Sequence, residues 1–252
     1  MFAVQRHELI LRQLEQERTV RVAELSAMLG VTEKTVREDL EKLEEKGLLK
    51  RIHGGAVRVS DGDEPLLPGD QPNTSNLSAK KLIASRAVAM VEAGDIIALD
   101  GGSTTLEMAK LLPNEPLAVV TNDVYIIAEL ARKEQIRLVV PGGYRERNLL
   151  VGDSAAEFIR SLNIHKAFVS ATGIHPDFGL TVFTGSQLSM KRALVETAGR
   201  VYCVADRSKF GRGALVTFAS LEEIHTIFTD SALPSAEAEA YRGHGVRIDW
   251  GN

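Results

Sequence analysis

Six consecutive residues, Asp100-Gly101-Gly102-Ser103-Thr104-Thr105, bring together what is needed to hold an anion. They leave a short apolar run, Ile96 to Leu99, and open a helical pattern, Thr104 to Leu112. Successive backbone N–H groups, the positive end of a helix and three hydroxyls therefore converge on one spot, which is how a phosphate is bound without a lysine. The run is neither GxxxxGK[ST] nor the dinucleotide GxGxxG. On this motif alone, Ser103 or Thr104 acting as a plain helix N-cap is an equal reading. Other clusters follow other apolar runs: Thr121-Asn122; Pro141-Gly142-Gly143 with Arg145 and Arg147 close behind; Ala171-Thr172-Gly173; and Asp206 with Lys209. Gly142 and Gly143 also suit a simple tight turn. Lys191 lies on a predicted helix, Gln187 to Ala198, and reads equally as an added cation or as a solvated helix lysine. His165, His175 and His225 show no metal-ligand spacing with one another or with Cys203, so no metal site and no cofactor is expected.

These clusters matter because of the elements that must carry them. Helical and strand patterns alternate from residue 77 onward. The expected order is helix Ser78 to Ala93, strand Ile96 to Leu99, helix Thr104 to Leu112, strand Leu117 to Val120, helix Val124 to Lys133 and strand Ile136 to Val140. Helix Asp153 to Ser161, strand Lys166 to Ser170, helix Gln187 to Ala198 and strand Val201 to Ala205 continue it. Strand Thr226 to Thr229, helix Ser235 to Arg242 and strand Val246 to Ile248 complete it. Repeated β-α-β order with short apolar strands implies an α/β fold, a doubly wound and mostly parallel sheet covered on both faces. Ligands of such sheets bind at the carboxyl ends of the strands, where the polar clusters fall.

A second chemistry occupies the first sixty residues. Val4 to Glu17 carries Ile10, Leu11 and Leu14 on one stripe. Leu25 and Leu29 share a face of the next helix, Gly30 permits a turn, and Thr32 is a good N-cap for a helix burying Val36, Leu40 and Leu43. The opposite face of that helix offers Lys34, Thr35, Arg37 and Glu38, where a recognition helix meets base edges. Leu48 to Ile52, His53, a Gly54-Gly55 turn and Ala56 to Val59 read as a two-stranded wing. Four basic residues and no acid lie between Lys46 and Ser60, so Lys50, Arg51 and His53 can rest against phosphates. The pattern is a winged helix-turn-helix. The competing reading is a helical bundle with an appended hairpin and no nucleic-acid role.

Between them, the segment Ser60 to Asn76 holds three prolines and two glycines with little periodicity and is expected to be a linker. This divides the chain into residues 1–59, 60–76 and 77–252. The net charge of -4 argues against indiscriminate nucleic-acid binding. It splits unevenly: residues 1–60 contain 11 basic and 10 acidic side chains, the remainder 19 and 24. Cys203, the single cysteine, sits in an apolar run and suits a core position. The N-terminus has no apolar leader pattern and no run approaches the ~18 residues of a membrane span, so a cytoplasmic protein without membrane contact is expected.

The chain resembles, nearly end to end, the DeoR family of bacterial transcriptional regulators, most of which repress operons for sugar uptake and breakdown. The residues that carry the resemblance are RHELIL (Arg6 to Leu11), TVREDLEKLEEKGLLKRIHGGA (Thr35 to Ala56), LDGGSTT (Leu99 to Thr105), VTN (Val120 to Asn122), PGG (Pro141 to Gly143) and ADRSKFG (Ala205 to Gly211). It implies an operator-binding winged helix and a sensor domain similar in fold to ribose-5-phosphate isomerase, with a phosphorylated sugar as effector. Gly102, Ser103, Thr104 and Thr105 would take the phosphate; Asp100, Asn122, Gly143, Arg145, Lys191, Asp206 and Lys209 would surround the sugar. Two positions depart from the family pattern. Glu38 follows Arg37 where two arginines are usual, and is expected to alter operator preference, since a carboxylate accepts from cytosine N4. Gln187 stands where a glutamate is common.

A palindromic operator requires two recognition helices presented together, so a homodimer or tetramer is expected. An isomerase-like enzyme with a DNA-binding appendage is the alternative; between Phe168 and Gln187 the one acid is Asp177, in a Pro-Asp-Phe-Gly turn, which leaves Asp100 and Asp206 as the carboxylates able to act as a base, and no catalytic residue is assigned. A DNA-binding protein whose second domain only oligomerises is a third reading. Release of DNA by effector is the commoner outcome implied by the resemblance.

Overall fold

The apolar stripe Ile10, Leu11, Leu14 closes against the stripe Val36, Leu40, Leu43, and all six side chains are fully or almost fully buried. They belong to the amino-terminal head of the computed structural model, which describes residues 2–58, 73–183 and 185–251. The head runs α1 (Ala3–Glu17), β1 (Thr19–Arg21), α2 (Val22–Leu29), α3 (Glu33–Glu45), β2 (Lys50–Ile52) and β3 (Gly55–Val57). Gly30 sits at φ +64 between α2 and α3, the left-handed geometry its place in the turn demands. Thr32 Oγ1 accepts from Thr35 N at 3.2 Å, capping α3.

The wing differs from expectation in two ways. It is three-stranded, ordered β1-β3-β2, because Thr19–Arg21 pairs antiparallel with the returning strand. Its turn is His53-Gly54, with Gly54 at φ +77, whereas Gly55 lies within β3. A Cβ on Gly55 would stand 2.0 Å from Val20 O, so this glycine is required by the approach of β1. Leu48 and Leu49 are buried links between α3 and β2 and not strand residues. Val59 and most of the expected linker lie outside the described residues.

From Leu77 onward the chain runs α4 (Leu77–Val88), β4 (Ile96–Leu99), α5 (Ser103–Leu111), β5 (Leu117–Val120), α6 (Val124–Leu130) and β6 (Ile136–Val139). Then come β7 (Tyr144–Glu146), β8 (Leu149–Val151), α7 (Asp153–Arg160), β9 (Lys166–Val169), β10 (Gly173–His175), β11 (Gly179–Val182) and α8 (Leu188–Thr197). The last elements are β12 (Arg200–Val204), β13 (Val216–Ala219), β14 (Thr226–Phe228), α9 (Ser235–Arg242) and β15 (Arg247–Asp249). Two helices stop short of expectation. After Val88 the α4 ladder gives way to three-residue turns, Met90 N donating to Ala87 O and Val91 N to Val88 O. Lys133 is drawn off the end of α6 to donate to Ala109 O and Leu112 O, where it caps α5.

Seven parallel strands form the sheet β15-β14-β12-β9-β4-β5-β6. Leu99, Phe168, Tyr202 and Phe228 face the layer containing α4, α5 and α6. Ala98 and Ala167 face α7 and α8, while Cys203 and Ile227 pack toward α9 and a small antiparallel sheet, β10-β11-β13. From β4 the chain proceeds to β5 and β6 on one side and later to β9 and β12 on the other. The β4/β9 boundary is therefore the topological switch point, where a ligand crevice is expected at the carboxyl ends.

The head is not isolated from this body. Phe183, Ala214 and Leu215 are buried within the head's own apolar cluster.

Candidate functional site

Both strands at the switch point deliver polar residues to it. Leu99 ends β4 and is followed by Asp100; Val169 ends β9 and is followed by Ser170. Asp100 Oδ2 accepts from Ser170 N at 2.9 Å and lies 3.0 Å from Ser170 Oγ, which is also 2.7 Å from Gly101 O. Lys191 reaches in from α8, its Nζ bonded to Asp100 Oδ2 and to Ser170 O at 2.8 Å, with Phe218 beneath it at 5.0 Å. Lys191 is 3% exposed, so the reading of a solvated helix lysine is corrected: it is a buried cation neutralised by Asp100. Sequence reasoning missed Ser170. It is the last residue of the strand expected there, and the polar type at that end was the available signal.

The cradle opens above this buried pair. Gly102 is the N-cap residue of α5 and has no side chain to cap with, which places Ser103 and Thr104 inside the helix and removes the plain N-cap reading. The first helical hydrogen bond is Leu106 N to Gly102 O, so the amides of Ser103, Thr104 and Thr105 precede it and face outward from the helix start. Ser103 and Thr104 hydroxyls make no hydrogen bond among the described residues. Thr105 differs: it is fully buried and its Oγ1 donates to Gly102 O at 2.8 Å. Gly101 and Gly102 are glycines because a Cβ would stand 2.2 Å from Leu149 Cδ2 and 2.8 Å from Ser170 Cβ, respectively.

A hairpin absent from the sequence reading, β7–β8, supplies that Leu149 and roofs one side of the cradle. Asn122 anchors it through Nδ2 to Leu150 O at 2.9 Å and through its own carbonyl, which accepts from Leu150 N. Asp123 N-caps α6 by accepting from Tyr125 N and Ile126 N, and Asn148 Nδ2 donates to it at 2.5 Å. Burial, aided by the nearby Asp100 charge, raises the Asp123 carboxyl above the usual carboxylate range. Gly143 sits at φ +110 with Val151 O 2.4 Å from a would-be Cβ, so it is needed for hairpin closure. Arg145 Nε donates to Arg147 O, on the exposed rim of the hairpin.

The remaining expected residues share the sheet edge but stand farther along it, beyond β9 at the end of β12. Asp206 is buried and caps the turn Arg207–Lys209 by accepting from Ser208 N, and it also accepts from Asn76 Nδ2 at 3.1 Å. Lys209 is half-buried on that turn. Cys203, beneath them, is pushed up to about 12 by burial and is an inert core thiol. Two open cavities of about 480 and 460 Å³ lie on the β14–β15 side of the sheet, the first near the amino ends of β12 and β15 and the second along β14 and β15, and neither is lined by Asp100, Lys191 or the start of α5.

In the head, Lys34, Arg37 and Glu38 are exposed on α3, Thr35 is half-buried, and Lys50, Arg51 and His53 are exposed on the wing. Arg37 is paired with Glu33 at 2.5 Å and Lys34 with Glu38 at 4.0 Å. The acid-free wing proves to be a feature of sequence distance only. Arg51 is paired with Glu44 at 2.7 Å and with Glu41 at 3.8 Å, both on α3, and Glu44 holds the guanidinium above its ordinary pKa. Such exposed pairs are screened by solvent, so a phosphate can displace them at little cost. Lys46, counted among the wing cations, points away from the wing: its Nζ donates to Leu215 O.

A clamp orients α3 from behind. Arg6 grips Asp39 through Nε and Nη2 at 2.7 and 3.0 Å, and His7 Nε2 lies 2.8 Å from Asp39 Oδ1. Burial lowers the His7 pKa, against the pull of Asp39. Burial also opposes ionisation of Asp39, but the hydrogen bonds from Arg6 and His7 outweigh it and hold the carboxyl below its usual range. An acid on the apolar stripe beside Val36 and Leu40 was the sequence signal for this clamp.

Comparison with known proteins gives a consistent picture. A family profile described as the DeoR-like helix-turn-helix domain matches residues 6–61, and one described as the DeoR C terminal sensor domain matches residues 75–231. The chain is similar to the HTH-type transcriptional regulator GlpR of Haloferax volcanii, 36% identical over 90% of this chain and 89% of that protein. It is also similar to the L-fucose operon activator of Haemophilus influenzae, 33% identical over 91% of this chain and 92% of that protein. Among solved structures, ribose 5-phosphate isomerase A from Methanocaldococcus jannaschii matches 54% of this chain and 55% of that chain, at 20% identity and a TM-score of 0.42.

Proposed function

Because the chain belongs to the DeoR family of transcriptional regulators, we propose that it controls a carbohydrate-catabolism operon, as a repressor whose grip on its operator changes when a phosphorylated sugar occupies the cradle at Gly102–Thr105. The observation that carries this reading is the outward-facing first turn of α5, with two hydroxyls unbonded among the described residues, at the switch point of the sheet. A fucose operon regulator among the relatives supports the sugar, and its being an activator makes the sign of regulation a matter for direct measurement.

In this reading residues 1–59 are the DNA-binding head, 60–76 the linker and 77–252 the sensor. Lys34, Thr35, Arg37 and Glu38 meet base edges in the major groove, with Thr32 at the helix start, while Lys50, Arg51 and His53 meet phosphates. Gly102, Ser103 and Thr104 receive the phosphate, and Thr105 closes the turn from within. Asp100 and Lys191 form the floor; Asn122, Gly143 and Arg145 hold the hairpin side; Asp206 and Lys209 stand at the far side of the sugar. The working protein is a cytoplasmic homo-oligomer, and no helix among the described residues is long and apolar enough to cross a membrane. Moving the heads from mostly bound to mostly free requires about 5 kcal/mol of preferential effector binding.

An enzymatic role fits less well, because the carboxylates along this edge are committed. Asp100 is neutralised by Lys191, Asp123 caps α6, and Asp206 caps its own turn. The deciding experiment titrates the full-length protein with inorganic phosphate and a panel of sugar phosphates, following thermal stability, turnover and affinity for operator duplex. Stabilisation by one phosphorylated sugar, absent in Gly102→Ala and accompanied by altered operator affinity, is the expected result. Turnover, or equal stabilisation of the Gly102→Ala variant, overturns the assignment.

A further inference from the structure

The end of the recognition helix is tied to the sensor body through Lys46. Lys46, immediately after α3, makes two bonds of opposite sense to the segment 213–215: its Nζ donates to Leu215 O at 2.7 Å, and its own carbonyl accepts from Gly213 N at 3.1 Å. Around these bonds Ala214, Leu215 and Phe183 are buried with the core side chains of the head. Gly213 leaves room for the Phe178 ring, which would stand 2.8 Å from a Cβ there, while Lys46 Cβ at 3.6 Å would be in ordinary contact.

The sensor side of this joint is rigidly built. Ala214 N donates to Thr181 Oγ1, which in turn donates to Gly173 O, locking the segment onto β10 and β11. Gly211 N donates to Tyr241 OH, and the Phe210 ring meets the Tyr241 ring edge-on at 5.1 Å. Four residues separate Lys209 from Ala214, so the segment that grips the head begins at the edge proposed to hold the sugar. The chemistry at Lys46 is also unusual for a mere staple. Its ammonium is half-buried, burial lowers its pKa, and a backbone carbonyl takes the place of a carboxylate partner. A charge-assisted hydrogen bond to one carbonyl holds the joint closed and also fixes its direction.

We propose that Lys46 is a positioning residue for operator binding: by clipping the end of α3 to residues 213–215 it sets the angle at which the head is presented, and hence the half-site spacing that a pair of heads accepts. This rests on the proposed reading of a DNA-binding homo-oligomer. The DNA-facing side chains Lys34, Arg37, Lys50 and His53 are exposed while the clip is closed, so docking orients the head without covering it.

The test uses the full chain. Spin labels placed through Lys42→Cys and Glu157→Cys, in protein diluted with unlabelled chain, report the head-to-sensor distance without DNA. The buried Cys203 stays unlabelled. Losing a charged hydrogen bond weakens the docked arrangement by about tenfold or more. A single narrow distance is expected for the parent and for Lys46→Arg, and a broadened distribution for Lys46→Met and Lys46→Gln, with circular dichroism showing each variant folded. Binding-site selection from a randomised duplex pool is expected to return the same half-site from parent and Lys46→Met, with spacing relaxed in the variant. A narrow distance in both Lys46→Met and Lys46→Gln, or a changed half-site sequence with unchanged spacing, overturns the proposal. If the parent enriches no duplex at all, the regulator reading fails, while the distance measurement still decides whether Lys46 holds the head.

Discussion

Replacing Lys191 with Met exposes the energetics on which the sensor floor depends. Lys191 and Asp100 side chains are 3% and 5% exposed, and the ammonium has Asp100 Oδ2, Ser170 O and Ser170 Oγ as acceptors. Removing the cation leaves a carboxylate in a site that water does not reach, within influence of the Asp123 carboxyl. Breaking one side of such a pair costs about 3–5 kcal/mol. For a chain of this size each kcal/mol lowers the melting temperature by roughly 2–4 °C, so Lys191→Met is expected to melt about 6–20 °C below the parent. Asp100→Asn removes the other charge and leaves the lysine buried and unpaired, with a cost of the same order. The double variant, Asp100→Asn with Lys191→Met, contains neither charge, and its cost is expected to fall short of the sum by about 1–3 kcal/mol. Calorimetric melting of the four proteins at neutral pH measures this coupling. A Lys191→Met protein within about 1 kcal/mol of the parent, or strictly additive costs, would refute the claim that the two charges are held by each other.

Two further outcomes concern the head. Gly55→Ala places a methyl against Val20 O, a backbone atom that cannot swing aside, and is expected to destabilise the head by about 2 kcal/mol or more, whereas Gly54→Ala pays only the left-handed backbone penalty of about 1 kcal/mol; chemical denaturation of both variants checks the order. His7 is held neutral by burial, so unfolding takes up a proton: its contribution to stability is present above its ordinary value near 6.5 and is lost as pH falls through the lowered folded value. Asp39 acts in the same direction at lower pH, its contribution present above about 3.8 and lost as pH falls through its depressed value. Melting between pH 7.5 and 5.5 is expected to fall less steeply for His7→Gln, which keeps a donor toward Asp39 but does not titrate; equal slopes would contradict the assignment.

The amino-acid sequence by itself determined the two chemistries and the elements that carry them. Period-3.6 stripes such as Ile10, Leu11, Leu14 and Val36, Leu40, Leu43 are local, and the core they predict is the core that forms. The short apolar runs at Ile96–Leu99, Leu117–Val120 and Lys166–Val169 are buried parallel strands, which need no alternation because helices cover both faces. Gly102 at the start of α5 was legible for the same reason, since a strand-turn-helix is written in consecutive residues.

Partnerships between distant residues were decided by the tertiary structure alone. Lys191 meets Asp100 across 91 residues, Asp39 meets Arg6 and His7 across more than 30, and Lys46 meets Leu215 across 169. The hairpin β7–β8 and the sheet β10-β11-β13 escaped notice because their strands, as short as those of the main sheet, mix polar and glycine residues with apolar ones, as Tyr144-Arg145-Glu146 and Gly173-Ile174-His175 do. The wing shows the physical reason most plainly. Counting charges along the chain gave Arg51 no acid nearby, yet the fold returns it to Glu44 and Glu41, because electrostatic energy follows separation in space and not separation in sequence.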